Sequence, residues 1–375
     1  MWRWILLLAA TLALSVIGVV YLTKCFHRFS FVKRLGEKKN KISWVVAVVP
    51  SVLVLGVFTI CINIYSAVVV YIHLMIFWLI CDFVLVIVSK CLKKNDKKSN
   101  IVYNIEGVTA IVLTIIYMGI GWYNARHVSE TDYTFYTSKD LGVESLRVVE
   151  IADSHLGVTL DGTKFAREMK KLQKVNPDVV VVAGDFVDDD SYKKDMIEAC
   201  QALGDLNTKY GVYFIFGNHD KGYYHYRDFT SQELRDELTK NNVLILEDES
   251  ILIEDHFYII GRQDRTETDR MDMNTLTKDL DHSKYMILLD HQPNDYDHEA
   301  EADVDLVLSG HTHGGHLFPL GPIGLMLKAN DRVYGTEIRN NTGFVVTSGI
   351  SGWAVPFKTG TFSEFVVIDI KSKNY

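Results

Sequence analysis

Four apolar runs near the amino terminus constrain this chain more than any other feature. They cover residues 2–22, 43–63, 67–89 and 101–122. Each is about 20 residues, the length at which a helix crosses the ~30 Å hydrocarbon core of a bilayer. A helix on the surface of a water-soluble domain carries a polar stripe, and these runs mostly do not. A cleaved signal peptide would account only for the first run. That run is longer than the usual apolar stretch of about 7–15 residues, and three further runs follow it. Ala13-Leu14-Ser15 imitates a cleavage site, but the expectation is an uncleaved helix. Residues 1–125 are therefore expected to form a transmembrane region of four helices.

The basic residues between these runs give an orientation. Residues 23–42 carry Lys24, Arg28, Lys33, Arg34, Lys38, Lys39 and Lys41. Residues 90–100 carry Lys90, Lys93, Lys94, Lys97 and Lys98, whereas the link near residues 63–66 has none. Short loops rich in Lys and Arg stay in the cytoplasm. Four spans then put the amino terminus and residues 126–375 on the outer face of the cytoplasmic membrane. The orientation depends on the fourth run, which has Glu106 and Gly107 near its start. Asp82 and Glu106 are acids within or at the edge of spans, where charge is costly. Asp82 is expected to pair with a polar neighbour such as His73 or Asn63, and Glu106 to lie near an interface.

The overall charge of −8 hides two unlike halves. Residues 1–125 hold 13 Lys and Arg against 4 Asp and Glu; residues 126–375 hold 26 against 43. So acidic a domain is a poor partner for nucleic acid, which is bound by neutralising phosphates. Cys200 is the single cysteine after residue 125, so that part holds no internal disulfide, and no Cys-x-x-Cys pair occurs.

Residues 126–145 read as a membrane-proximal linker with at most one edge strand, and residues 146–375 as one domain. There, Val/Ile/Leu runs alternate with amphipathic stretches. Strands are expected at 146–151, 178–183, 211–216, 243–246, 251–254, 257–260, 285–289, 305–308, 344–347 and 365–370. Helices are expected at 161–175, 191–206 and 231–240. Continuous apolar strands between helices belong to buried sheets.

Five short segments follow the ends of these strands: Asp153-Ser154-His155, Gly184-Asp185 with Asp188, Gly217-Asn218-His219-Asp220, Asp290-His291, and Gly310-His311-Thr312-His313. That is where open α/β sheets collect ligands. The donors are oxygen and nitrogen without thiolate, which suits Mn, Fe, Zn or Co. Their number fits two ions better than one, and two ions clamp the attacking and leaving oxygens of a phosphoryl transfer. Each motif alone is weak; their order, spacing and strand-end placement together are strong.

The joint pattern resembles the calcineurin-like metallophosphoesterase family. Its signature is Asp-x-His, Gly-Asp-x-x-Asp, Gly-Asn-His-Asp/Glu, a lone His, then Gly-His-x-His. The run Gly310–Gly315 and His291-Gln292-Pro293 look most like the subgroup held in membranes by amino-terminal helices. Some relatives there hydrolyse the pyrophosphate of a lipid-linked nucleotide sugar. The resemblance implies a layered β-sandwich flanked by helices and two divalent or mixed-valence ions. It implies that Asp153, His155 and His313 hold the first ion, that Asp185 bridges, and that Asn218, His291 and His311 hold the second. His219 would contact the phosphate and assist the leaving oxygen, and Asp188 would orient His219. A hydroxide held between the cations would attack phosphorus in line.

Three departures qualify the resemblance. His316 stands where the subgroup often has Gln, as a candidate substrate contact. Asp188-Asp189-Asp190 replaces the Asp-Arg-Gly of the phosphoprotein phosphatases, which argues against a protein phosphatase. Lys358 lies where relatives often carry Arg, and it and Arg262, with Arg265, are candidate phosphate contacts. The expected function is a membrane-anchored phosphoesterase acting on a phosphorylated small-molecule or lipid substrate, in particular a lipid-linked or envelope one. The competing reading is a phospholigand-sensing or transport protein with a metal-binding outer module.

Overall fold

The computed structural model describes residues 16–38, 40–91, 100–222 and 227–373. The chain divides into two compact units at Ile120–Gly121.

The first unit is helical: α1 (Val16–His27), α2 (Ser30–Lys38), α3 (Asn40–Cys61), α4 (Ile64–Cys91) and α5 (Asn100–Asn124). Among the described residues three helices are long and apolar enough to cross a membrane: Lys41–Cys61, Ile64–Cys91 and Asn100–Asn124. They match the second, third and fourth expected spans. Most of the first expected span lies outside the described residues, and its described end continues as apolar helix to His27. Of the basic stretch 23–42, residues 23–27, 30–38 and 40–42 are helical rather than an open loop. Leu22, Phe26, Phe29, Tyr71, Leu74 and Trp78 form the interior, while side chains such as Val45, Ile60, Phe83 and Ile115 point outward. Asp82 does not pair with His73 or Asn63. Its carboxylate accepts from Arg28 Nη1 (2.8 and 2.9 Å) and Tyr21 Oη (3.0 Å). Arg28 also donates to Glu106 at 3.1 Å. A guanidinium offers several donors in one fork, which His73 and Asn63 lack.

The second unit is a two-sheet sandwich. One sheet has the order β1 (Val128–Thr137), β12 (Ser363–Ser372), β2 (Ser145–Ile151), β3 (Val179–Ala183), β4 (Val212–Ile215), β5 (Val243–Ile245). The other has the order β10 (Gly335–Arg339), β11 (Thr342–Val346), β9 (Leu306–Ser309), β8 (Tyr285–Leu289), β7 (Phe257–Gly261), β6 (Glu249–Ile253). Both are mixed: β2 to β5 run parallel, as do β11, β9, β8 and β7, while β12–β2, β10–β11 and β6–β7 are antiparallel.

Strand periodicity explains the layers. Successive side chains point to opposite faces. Val179 and Val181 of β3 therefore join Ile287 and Leu289 of β8 between the sheets. Val180 and Val182 face the other way, onto helices α6 (Gly162–Leu172) and α7 (Lys193–Gly204). In the second sheet Met286 and Leu288 cover the outer face beneath α9 (Met273–Thr277) and α10 (Tyr296–Glu301). Both faces of the central strands are thus buried, which is why those strands read as unbroken apolar runs. Helix α6 buries Phe165, Met169 and Leu172 and starts at Asp161, whose carboxylate accepts from Lys164 N at 2.8 Å. Helix α8 (Ser231–Lys240) opens with a capping box, Thr230 to Glu233.

The stretch expected as a linker with one edge strand supplies the ten-residue edge strand β1, parallel to β12. Its inward residues Tyr133 and Phe135 reach the inter-sheet core. The polar residues between them hide this alternation in the sequence. Strand β10 and the short helices α9, α10 and α11 (Leu320–Met326) have no counterpart among the sequence expectations.

Candidate metal centre

Every motif residue sits just beyond the carboxyl end of a strand: Asp153 after β2, Asp185 after β3, Asn218 after β4, His291 after β8, His311 after β9. Six of these loop residues have positive φ: Asp153 (55°), His155 (35°), Asp185 (51°), His311 (69°), His313 (49°) and His316 (47°). Non-glycine residues pay strain in that region, and such strain gathers at functional sites. Gly184, with φ of 84°, precedes the turn at Asp185; a Cβ there would stand 2.7 Å from His291 Nδ1. Only glycine lets the two strand ends approach so closely.

Three groups of donor atoms converge: Asp153, His155 and His313; Asp185, His291 and His311; and His155, Asp188 and His219. His155 and His313 face each other through their Nε2 atoms at 3.2 Å. Asp185 Oδ2 lies 3.6 Å from His155 Nε2 and 3.1 Å from His291 Nε2, between the first two groups. His291 Nδ1 donates to Ala183 O at 2.7 Å, which turns Nε2 toward Asp185. Asp153 Oδ1 accepts from His311 N at 3.0 Å, while Oδ2 is buried and meets no hydrogen-bond donor among the described residues.

This donor set fits cations. A buried acid oxygen without a donor is unfavourable unless a positive charge sits beside it, and the facing imidazole nitrogens can turn lone pairs to the same place. The protonation preferences agree. Burial, reinforced for His313 by the His155 charge and for His311 by the His291 charge, pushes both imidazoles down, His311 to about 4. They are held neutral, the form that ligates metal. Burial alone would raise Asp185, but the imidazoles of His291 and His155 hold it well below the usual carboxylate range. His291, despite burial, is raised by Asp185. The pair shares a charge that a cation would take over.

Asp188 links two of the histidines. Its Oδ2 is 3.1 Å from His155 Nδ1 and its Oδ1 is 3.0 Å from His219 Nδ1. Burial opposes the Asp188 charge, yet these two imidazoles keep the carboxylate ionised. Burial would likewise lower His219, but the Asp188 hydrogen bond and the charge of Asp185 raise it. The backbone N–H of His219 donates to Asp185 Oδ1 at 2.8 Å, tying the two loops together.

With this geometry established, relatives can be compared. Residues 146–315 match the model of the calcineurin-like phosphoesterases. An uncharacterised metallophosphoesterase of Campylobacter jejuni is 31% identical over 299 residues, covering 78% of this chain and 76% of the relative. This chain belongs to the calcineurin-like phosphoesterase family. An uncharacterised metallophosphoesterase of Aquifex aeolicus is 30% identical, with 64% of this chain and 91% of the relative covered. A Danio rerio transmembrane protein with a metallophosphoesterase domain is 28% identical, with 71% and 63% covered. The chain is a metal-dependent phosphoesterase with amino-terminal apolar helices.

Two expected phosphate contacts are corrected. Lys358 is fully buried, and its ammonium donates to the carbonyls of Ser348 (2.6 Å), Gly349 (3.0 Å) and Phe362 (3.5 Å). Burial pushes it down to about 7. It ties the Ser348–Gly349 loop to Phe362 and is neither a phosphate contact nor a solvated lysine. Arg262 is also buried, and its Nη1 meets Asp290 (3.0 Å), Asp295 (2.8 Å) and Glu299 (3.4 Å). The three carboxylates gather on Nη1, and Nη2 donates to Met271 O at 3.4 Å. Arg265 is exposed. His316 lies beside the centre, its ring 5.3 Å from that of His313.

Sequence reasoning missed three contributors. Asp220 accepts from the backbone N–H groups of Phe186 (2.8 Å), Val187 (3.0 Å) and Gly217 (2.7 Å), clamping two metal-centre loops. Burial and the neighbouring Asp185 push it up to about 6. Asp264 accepts from Gln292 Nε2 at 2.9 and 3.0 Å, bracing the residue next to His291. Trp353 lies 5.6 Å from His219 and 6.4 Å from His155, ring to ring, and is partly exposed. Asp220 stands within a motif and was available as a candidate; Asp264 and Trp353 carry no local signal.

Proposed function

We propose that this phosphoesterase binds two cations and hydrolyses a phosphoester or pyrophosphate bond of a lipid-linked or envelope substrate at the outer face of the cytoplasmic membrane. The observation that carries the two-ion reading is Asp185 Oδ2, standing between His155 Nε2 and His291 Nε2. Asp153, His155 and His313 would hold one ion; Asn218, His291 and His311 would hold the other; Asp185 would serve both. Bound there, the ions would neutralise phosphate charge and lower the pKa of an attacking water. The metal is Mn, Fe or Zn by donor type.

The chain's own groups then divide the remaining work. Asp188 holds the Nδ1 proton of His219, so Nε2 addresses the phosphate and gives a proton to the leaving oxygen. The Asp188 hydrogen bond and the Asp185 charge favour the protonated form of His219 against its burial. By the same carboxylate, Asp188 fixes the tautomer of His155, leaving its Nε2 lone pair for metal. His316 is the remaining candidate substrate contact.

The outer-face location is supported by parity. The basic residues before α3 and the basic stretch 92–99 flank two spans, so both lie in the cytoplasm and α5 leads outward. This does not depend on the first expected span. Residues 126–375 would then act outside, with residues 1–125 as their membrane part. No nucleic-acid partner is expected of so acidic a unit.

The test is the full chain in nanodiscs, loaded with Mn, Fe or Zn and given an aryl phosphomonoester and a bis-aryl phosphodiester. Metal-dependent turnover, lost in Asp185→Asn together with about half of the bound metal, is expected. Full turnover by Asp185→Asn with one ion per chain would sink the two-ion reading. A membrane-impermeant maleimide applied to intact cells should label Tyr192→Cys; labelling only after lysis would reverse the orientation.

A further inference from the structure

Helix α11 begins four residues after His316, in the sequence Phe318–Lys328. It is apolar, yet it adds almost nothing to the core. Its one buried residue is Gly321, which rests on Gly315 of the Gly310–Gly315 loop; a Cβ on Gly315 would stand 2.6 Å from Gly321 Cα. The helix therefore packs through its backbone, and its large side chains face outward. Phe318, Leu320, Ile323, Leu325, Met326 and Leu327 are all exposed, Met326 at 82% and Leu327 at 75%. Among the described residues from β1 onward, thirteen large apolar residues are exposed, and these six fall within ten consecutive positions. Scattered exposed apolar residues need no explanation, but a contiguous patch beside an active site marks an interaction surface.

A second observation says what covers it. The last turn of α5, Gly121–Asn124, belongs to the second unit and ends a candidate membrane span. Gly121 O accepts from Lys358 N at 2.8 Å, and Asn124 Nδ2 donates to Lys358 O at 3.3 Å. The next residue, Thr359, accepts from Phe318 N through its hydroxyl at 3.1 Å. The apolar patch thus starts where the chain leaves a membrane helix. Trp122 and Tyr123 are exposed on that same turn, the residue types that sit at the headgroup level of a bilayer. Lys328 follows the patch and is exposed, placed to reach lipid phosphates while its neighbours enter the acyl boundary.

We infer that residues 318–327 insert into the interface of the bilayer that holds the chain, and so present the metal centre to phosphate groups at the membrane surface. The inference rests on the membrane-anchored phosphoesterase reading for its purpose. A short apolar helix lying in the headgroup region gains from burial of each side chain, and tethering by α5 makes that contact intramolecular.

The full chain in nanodiscs, with Cys61 and Cys91 changed to Ser, carries an environment-sensitive fluorophore at Met326→Cys. A second sample carries it at Tyr192→Cys, another exposed position of the same unit. Phosphatidylcholine with a spin label near the headgroup should quench the probe at 326 several-fold more than at 192. Equal quenching overturns the inference. Crosslinking of 326 to 326 without quenching also overturns it, and identifies a second copy as the occupant. Leu320→Ser/Met326→Ser/Leu327→Ser should keep its rate on a soluble aryl ester and lose several-fold on a phosphate ester carried in vesicles; parallel loss, or no loss, on both overturns the presenting role. Absence of any turnover on the soluble ester would count against the phosphoesterase reading instead, because the quenching measurement needs no activity.

Discussion

Both units bury charge, but they settle it differently. In the helical unit Arg28 answers Asp82 and Glu106 within hydrogen-bond distance. One cation meets two acids there, and each acid has a partner supplied by the chain. In the catalytic unit Asp153, Asp185, Asp188 and Asp220 crowd around imidazoles, with no lysine or arginine salt bridge to them among the described residues. Asp153 keeps a buried oxygen without a donor among the described residues. Elsewhere in the same unit two arginines, Arg262 and Arg270, both pair with Asp290. Buried charge that is complete by itself marks structure; buried charge that waits for a cation marks the site.

Breaking each kind of network should give opposite signatures. Asp185→Asn removes the carboxylate shared by the two donor groups. Turnover should fall by about 10³-fold or more, because a preorganised charge at the reacting phosphate is lost. The unit should stay folded by circular dichroism, since less like charge is then buried.

Arg28→Gln should do the reverse. It leaves Asp82 and Glu106 without their cation, at a cost of about 3–5 kcal/mol if their burial is retained. The effect should appear as a lower unfolding temperature of the full chain in detergent. The rate per folded molecule on a soluble ester should not change, and a matching loss of rate would link the two networks.

Asp188→Asn sharpens the comparison within the catalytic unit. It keeps a side chain of the same size but loses the ionised acceptor for His155 and His219. Outer-shell carboxylates of this kind are worth about 10–100-fold in metal affinity or activity. A loss confined to turnover, with metal content intact, would assign the effect to His219; a loss of metal would assign it to His155.

Glu150 offers the smallest effect and a pH signature. It lies on β2, fully buried, and neither oxygen finds a donor among the described residues. Burial first, then Glu364 and Asp153, raise it well above the ordinary glutamate value. A raised folded-state pKa means that the folded chain holds a proton the unfolded chain has released. Stability is then full below the ordinary value of about 4.3 and declines as pH rises toward the folded value. Glu150→Gln should match wild type near pH 4.5 and exceed it at pH 7, by about 2–4 °C in Tm if ~1 kcal/mol is recovered. An equal difference at both pH values would contradict this account.

Much was legible in the sequence because the relevant physics is local. Twenty apolar residues in a row need a bilayer or a deep core. Fully buried strands show as Val/Ile/Leu runs, and β8 and α8 lie where the expected strand 285–289 and the expected helix 231–240 put them. The donor motifs follow the strands because the sharp turns at Gly184 and Gly310 belong to the same few residues. Elements with mixed pattern were not legible. Strand β1 hides its inward Tyr133 and Phe135 among polar neighbours, and α11 shows apolar character without showing that it faces outward.

The sequence by itself determined the apolar helices, the strand–helix alternation and the set of metal-ligating residue types, since composition and spacing along the chain are enough for these. Tertiary structure alone decided that Asp188 serves both His155 and His219. It also decided that Lys358 and Arg262 are spent inside the fold, and that Arg28 rather than His73 answers Asp82. These pairings join residues distant in the chain, and their energies depend on burial and on the direction of each donor, which no local pattern records.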